Sequence, residues 1–386
     1  MPFDRRVWME ATTLRDAGFE VFVICPKGRG FESEEEIVDG IRIFRHGLPA
    51  EGHSAAGYLT EYATALRHEF RLARQIRKRF GVDVVHICNP PDLLFLIAGW
   101  LKLFHRVRVV FDHHDINPEL YLAKYGRQDL FYRLLKLAER ATFATADVVI
   151  SPNESYRKIA LTRGHRKPED VFIVRSAPNL SSFHPVPQNA AFKRGRNFLV
   201  GYVGVMGEQE GIDYLLRAIA DIIHRHHRSD VQFALVGAGP AHDDLLALRS
   251  QLRLDDYVDF PGRVPDSMLM EYLSTCDVCV NPDPKTPFND QSTMNKIMEY
   301  MAMGKPVVQF DLIEGRRSAG EASLYAEADD EQALASSIIQ LLDDPEKRRS
   351  MGGIGRKRME EELEWRWQAP KLLAAHDRLV RGQPSR

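Results

Sequence analysis

Lys296 and Glu299 stand three residues apart, behind the small polar residues Ser292, Thr293 and Asn295 and ahead of an apolar pattern that stops at Gly304. The polar run offers helix caps, and a helix starting there would present free backbone amides to whatever lies in front of it. A lysine near that end opposes the helix dipole, which favours acids. An anion such as phosphate, bound at the helix start, would relieve the conflict. Glu299, about one turn deeper, could then accept hydrogen bonds from paired hydroxyls of the kind a ribose carries. The plainer alternative is a solvated i,i+3 ion pair worth about 0.2–0.5 kcal/mol. Met294, Ile297, Met298, Met301 and Met303 read as core around them.

Other stretches carry chemistry of the same kind. In YVGVMGEQEG, Gly204, Gly207 and Gly211 lie between an apolar run and a helical pattern, where glycine lets a backbone approach an anion or simply makes a tight turn. VGAGPAHDD begins like a dinucleotide fingerprint, but His242 takes the third glycine position, so a nicotinamide cofactor is poorly supported. His113, His114 and Asp115 directly follow the run VRVVFD. At least one of them should point over that strand's carboxyl end, either toward a polar substrate or, for the aspartate, as a cap. Cys276 and Cys279 form a CxxC, yet the second sits inside DVCV and no second pair completes a zinc site. His224, His226 and His227 end an amphipathic helix and read as solvated. No metal is expected.

Short β-branched runs alternate with amphipathic stretches along the whole chain, the pattern of parallel sheets with crossover helices. The expected strands are 21–25, 83–88, 107–112, 147–151 and 171–175, then 198–204, 231–237, 258–260, 277–282 and 306–311. The Pro-, Ser- and Asn-rich stretch from Ser176 to Asn197 reads as a linker. A length of 386 residues suits two domains. They are assigned to 1–187 and 188–365, with a last helix, about 366–386 and interrupted at Pro370, packing back on the first. The expected fold is therefore α/β, with two Rossmann-like domains whose parallel sheets face a cleft.

Composition narrows the function classes. A net charge of -2 argues against a nucleic-acid partner. Four scattered cysteines give no disulfide framework and favour a reducing, cytoplasmic compartment. No run of about 18 apolar residues could span a bilayer. The basic helix 69–81 and the apolar, cation-flanked stretch 90–108 fit a peripheral contact with the inner face of a membrane, or equally a crossover helix buried on one face.

Taken in order, DRRVWMEATTLRDAGFEVFVICP, HHDINPE, ADVVISPNESYR, YVGVMGEQEG, VGAGP, PGRVPDSMLMEYLSTCDVCVNP and STMNKIMEYMAMGKPVV make the chain resemble a retaining glycosyltransferase of the GT-B fold, in the family numbered four. The resemblance covers nearly the whole chain. It implies transfer of a sugar from a nucleotide-sugar donor to a glycan or lipid-linked acceptor, in surface polysaccharide or glycolipid synthesis. No metal or other cofactor is implied, and the first domain serves the acceptor. An epimerase of the same fold, or a catalytically weak nucleotide-sugar binder, are the alternatives. The family's paired acids correspond to Gln291, an amide here, and Glu299, which would bind the ribose. His114 resembles the histidine that contacts the donor sugar, and Arg263 and Val264 match the segment that contacts the base. Gly204, Gly207, Ser292, Thr293 and Asn295 would line the donor site. The loop after the second domain's first strand carries an arginine and a lysine in many members, and here has Val205 and Glu210. Lys296, with Arg316 or Arg317, must then stabilise the leaving diphosphate. Family members also begin with a strand ahead of the segment matching DRRVWMEA. Without it, a gap between two first-domain strands is expected, with residues 1–5 as a loop and a start set too late or a truncated domain as the cause.

Overall fold

The computed structural model describes residues 4–28, 30–47 and 55–381, the side chains of 55–62, 380 and 381 excepted. They pack into two compact units. The first comprises Met1–Pro118, Arg127–Arg175 and Gln368–Arg386, and the second Glu119–Gly126 and Ser176–Trp367.

The strands of the first unit fall into two sheets. β1 (Phe22–Pro26), β2 (Glu35–Val38) and β3 (Ile41–His46) form one in the order β1-β3-β2, with β1 parallel and β2 antiparallel to β3. The β2–β3 hairpin turns at Asp39-Gly40, both at positive φ (48° and 78°), the backbone that an Asp-Gly hairpin turn requires. β4 (Val84–Cys88), β5 (Arg108–Asp112), β6 (Val148–Ser151) and β7 (Val171–Ile173) form a parallel sheet in sequence order. The expected gap is present, between β1 and β4. Residue 5 is not in a loop, however: it opens α1 (Arg5–Asp16), capped by the Asp4 carboxylate, because Asp4 accepts from the amide of Val7. Residues 1–3 lie outside the described residues.

Further helices of the first unit are α2 (Ala55–Phe80), α3 (Phe95–His105), α5 (Leu130–Thr145) and α6 (Glu154–Thr162), while α4 (Asn117–Tyr125), between α3 and α5 in the chain, belongs to the second unit from Glu119 on. The buried middles of β5 and β6 (Val109, Val110, Val149, Ile150) are covered on both faces, as crossover helices on a parallel sheet require.

The second unit holds one six-stranded parallel sheet. Its strands β8 (Phe198–Val203), β9 (Val231–Val236), β10 (Val258–Gly262), β11 (Val278–Asn281), β12 (Val307–Phe310) and β13 (Ser323–Ala326) are ordered β10-β9-β8-β11-β12-β13. Alternate residues serve opposite cores: Val200 and Tyr202 belong to one cluster, Leu199 to the other, and Val278 and Val280 are opposed by Cys279. Both faces are thus buried, under α7 (Ile212–Ala220), α8 (His242–Gln251), α9 (Asp266–Thr275), α10 (Asn295–Ala302), α11 (Ile313–Ala319), α12 (Glu331–Asp343) and α13 (Pro345–Arg358). The stretch read as a linker is a packed arm from its first residues: Ala177, Leu180 and Phe183 are buried beside Leu269 and Leu273. α14 (Trp365–Arg381) runs through Pro370, which lies in its second turn, without the expected interruption. From Gln368 onward it belongs to the first unit, where its Oε1 accepts from the amide of Arg175.

The order of the second sheet puts β8 at its centre, between β9 and β11. The chain reverses its winding there, so ligands are expected at the carboxyl ends of these strands. The backbones meet closely at that end: a Cβ on Gly237, at φ +150°, would lie 1.8 Å from the carbonyl oxygen of Gly204. Gly237→Ala should therefore destabilise the fold by at least about 2 kcal/mol, combining a strained backbone with a clash against main chain. Urea unfolding of the variant checks this, and an unchanged midpoint would refute it.

Candidate active site

Of the sequence-predicted residues of the second unit, Gly204 and Lys296 meet where β8 ends. Gly204 follows β8 and donates its amide to Val236 at the end of β9 (3.1 Å). A Cβ there would lie 2.6 Å from the Tyr202 hydroxyl and 3.4 Å from Cε of Lys296. Gly204 and the stem of Lys296 thus close on one another. Gly211, at φ +65°, allows the loop to pass the carbonyl of Pro282, 2.1 Å from where its Cβ would be. Gly207 is buried against the side chain of Gln209.

Lys296 is the second residue of α10. Met294 holds the N-cap position, and none of the polar residues expected to cap does so. The Ser292 hydroxyl turns back to donate to the carbonyl of Phe288 (2.8 Å), while Asn295 is exposed as the first residue of the helix. The anion that offsets Lys296 against the helix dipole is built into the protein. Its Nζ donates to Oε2 of Glu210 (2.7 Å) and to both oxygens of Asp283 (3.2 Å each), and it lies 5.0 Å from the centre of the Tyr202 ring. Burial alone would depress the ammonium, but Asp283, Tyr202 and Glu210 outweigh it and hold its pKa well above the usual lysine value. Burial pushes Asp283 up to about 7, with Lys296 pulling it down and Glu210 pushing it further up.

Glu299 is half-buried one turn further along α10, and Gln291 donates to the carbonyl of Pro287 (2.7 Å). Arg263 is exposed just after β10, and Val264 packs on the core behind it. Arg316 is committed elsewhere: it pairs with Asp311 (2.7 Å) and lies 4.1 Å over the Tyr325 ring. Asp290 nevertheless links the two segments, accepting from the amide of Ile313 at the start of α11 (2.9 Å).

In the first unit, His114 belongs to a buried polar network that sequence reading did not assemble. Asp112 ends β5 and receives Nε and Nη2 of Arg6 (3.0 and 2.7 Å). His114 Nε2 contacts the same carboxylate, and Glu10, one turn along α1, pairs with Arg6 at 3.2 Å. Arg6 also donates to the carbonyl of Val174 (2.9 Å). Burial would lower the pKa of His114, but the charge and hydrogen bond of Asp112 prevail and raise it. Burial also pushes Glu10 up to about 8, reinforced by Asp112 and opposed by Arg6. Asn89 fixes the backbone by accepting from the amide of His114 (3.0 Å). His113 does different work. It is fully buried among Phe111, Phe143 and Tyr156, and burial lowers its pKa to about 3, so it is a neutral core residue. Oxygen and nitrogen atoms of Glu10, His86 and Asp112 lie within 4.8 Å of one another, a spacing a cation could use. Arg6 already brings positive charge to both carboxylates.

Glu10 and Asp283 are carboxyls with raised folded-state pKa values, so each favours folding while protonated and loses that contribution as pH rises through about 8 and 7 respectively. Stability should fall as pH rises from the ordinary carboxyl range toward about 7 for Asp283 and about 8 for Glu10, and level off above. Thermal melts across this range should show the slope, and Glu10→Gln should flatten it. An equal slope in the variant would assign the effect to other groups.

The family described as glycosyl transferase 4-like domain matches residues 4–176, and glycosyl transferases group 1 matches residues 197–344. A D-inositol 3-phosphate glycosyltransferase of Thermobispora bispora is 28% identical over 65% of this chain and 60% of its own length. Sucrose-phosphate synthase from Thermosynechococcus elongatus superposes with a TM-score of 0.81 at 21% identity, covering 98% of this chain and 93% of that one. Anabaena Alr3699/HepE in complex with UDP-glucose superposes at 0.66 and 16% identity, covering 87% and 85%. Two family matches in the expected order, on a pair of Rossmann-like units, lead to one conclusion: the chain belongs to the GT-B glycosyltransferases of family four.

Proposed function

We propose that this chain transfers a sugar from a nucleoside-diphosphate donor to a hydroxyl of a glycan or lipid-linked acceptor, with retention at the anomeric carbon. The observation that carries this reading is the convergence of the Gly204 turn with the start of α10, which brings Lys296 to the carboxyl end of the central strand, with Glu299 three residues further along the same helix. A diphosphate at the helix start would meet free amides, and the negative charge that develops as it leaves would be stabilised by those amides and Lys296. Glu299 would take the ribose hydroxyls, and Arg263 and Val264 would border the base. In a front-face displacement the leaving phosphate takes the acceptor's proton, so the reading needs neither a dedicated base nor a metal. A relative named for transfer to inositol 3-phosphate and a fold neighbour holding UDP-glucose support a nucleotide-sugar donor and a polyhydroxyl acceptor.

One observation favours a second reading, a binder with weak turnover. Lys296 already has two carboxylate partners, and Val205 and Glu210 stand where many members have cations.

The acceptor side carries a surface suited to lipid. α5 exposes Leu130, Phe131, Leu134 and Leu137, and α3 exposes Leu96, Leu103 and Phe104. The two helices pack together, Lys102 of α3 donating to the carbonyl of Thr145 (2.8 Å). Leu130, Leu134 and Leu137 form one stripe by helical spacing, and exposed Arg133, Lys136 and Arg140 flank it. Apolar residues beside cations suit the boundary of an anionic bilayer. No helix of the described residues is long and apolar enough to cross a membrane.

Thermal-shift screening of UDP-, GDP-, ADP- and CMP-sugars should reveal one stabilising donor, and Glu299→Gln should weaken it about 10- to 150-fold, the equivalent of roughly 1.5–3 kcal/mol for a charge-assisted hydrogen bond. Lys296→Ala should lower turnover more than nucleoside affinity. Unchanged binding and turnover in both variants would overturn the reading, and product of inverted anomeric configuration by NMR would overturn retention. In sedimentation assays the protein should bind phosphatidylglycerol vesicles more strongly than phosphatidylcholine vesicles. Leu134→Glu combined with Leu137→Glu should abolish that binding, and unaltered binding would remove the membrane contact from this surface.

A further inference from the structure

The central ladder of the second sheet stops early. Among the described residues β8 and β11 pair only through Val278↔Val200 and Cys279↔Gly201, although β8 continues against β9 to Val203↔Val236 and β11 against β12 to Asn281↔Gln309. Continued in that register, the next rung would run from the Val203 amide to the Val280 carbonyl, and a direct bond would hold them about 2.9 Å apart. The Tyr300 hydroxyl stands in its place. It accepts from the Val203 amide (2.9 Å) and has the carbonyls of Val280 (3.2 Å) and Val203 (3.5 Å) as acceptors for its one proton. A side chain of α10 thus holds the ladder open where the sheet reverses its winding.

A phenylalanine would fill the same core. The hydroxyl adds a partner for two strand groups that are otherwise buried without one, and a fixed spacing between them. Tyr300 is fully buried, and burial pushes its phenol well above the usual value, so the proton stays available to the carbonyl.

That spacing bears on Lys296. Val203 is the last residue of β8, ahead of the loop that carries Glu210, and Val280 stands three residues before Asp283. The bridge therefore sits at the root of both segments whose carboxylates meet the Lys296 ammonium. Tyr300 and Lys296 are four residues apart on α10, hence one turn from each other on one face of it. The helix is pinned twice along that face, by a hydroxyl within the sheet and by an ammonium beyond the strand ends.

We propose, resting on the reading of the α10 start as the donor site, that Tyr300 is a positioning residue of that site. Its hydroxyl, inserted as a rung between β8 and β11, sets the separation of the two loops and so the place of the Lys296 ammonium.

The test is Tyr300→Phe in the full chain, read by structure and by kinetics, beside amide exchange in the unaltered protein. Without substitution, the Val203 amide should exchange as slowly as that of Gly204, which is bonded to Val236. Exchange at the rate of an exposed loop would overturn the bridge. In a crystal structure of Tyr300→Phe, the Lys296 ammonium should lose either Glu210 or Asp283, and a lysine that keeps both would overturn the proposal whatever the activity. Turnover, followed as nucleoside diphosphate released from UDP-, GDP-, ADP- or CMP-sugar, should fall about 10- to 100-fold with the donor KM little changed, because a misplaced cation fails a charge that develops only in the transition state. Added to Lys296→Ala, the same substitution should cost little more. A full loss in that background, or a KM that rises as far as kcat falls, would leave Tyr300 a structural residue only. A displaced lysine in a protein whose turnover survives Lys296→Ala would uphold the hold of Tyr300 on Lys296 and count against the role given to that lysine in transfer.

Discussion

A lysine cannot be taken out of water without anions to meet it, and this requirement organises the carboxyl end of the second sheet. Lys296 is 9% exposed, and its partners come from separate loops, Glu210 after β8 and Asp283 after β11. For both loops to reach one ammonium, their backbones must pass very close to their neighbours. Gly204 and Gly211 make this possible, since a Cβ at either would clash. The glycines that look like phosphate-loop residues are therefore required first by the protein's own ion cluster. One cation facing two acids leaves no excess positive charge unless an acid is neutralised. Burial raises the pKa of Asp283, with Lys296 opposing and Glu210 reinforcing the shift.

The first unit meets the same requirement in the same way. Arg6, like Lys296, is the second residue of its helix, where a cation opposes the dipole. Each cation is held by an acid at or just past the carboxyl end of a parallel strand, Asp112 after β5 and Asp283 after β11, and each has a second carboxylate partner, Glu10 or Glu210. Such clusters add little net stability, because desolvation offsets most of the attraction, but they fix geometry tightly. Here they fix two helix starts against two strand ends, and in the first unit they also fix the ring of His114.

This also explains what could and could not be read from the sequence. Alternating apolar runs marked ten of the strands, because a parallel sheet buried on both faces demands continuous β-branched residues. β2 and β3 escaped notice since Glu35, Glu36, Arg42 and Arg45 interrupt the run, even though Asp39-Gly40 marks the hairpin turn between them. β13, with its small residues in Ser323–Ala326, gave little signal either. His114 was found from its place after a strand. Its partner Arg6 was not, because the two carboxyl-end contacts of that arginine join residues 106 and 168 positions away. Separation of that order leaves no periodicity to detect. Asp283 directly follows the expected strand 277–282, but only burial distinguishes it from a solvated acid.

The polar network and the open edges of the first unit bear on one another. Arg6 and Glu10 come from α1, which packs on the β1–β3 sheet through Ala11 beside Ile41 and Ile43, whereas His86 and Asp112 come from β4 and β5. The ion pairs therefore tie together elements whose sheets, among the described residues, share no ladder hydrogen bonds. Charge pairs depend steeply on distance, so they hold α1 in place only while both sheets keep their spacing. A ladder would resist changes in that spacing along its whole length, and an ion cluster resists them at one point. The orientation of His114 consequently depends on the distance between two open strand edges as much as on Asp112 beside it.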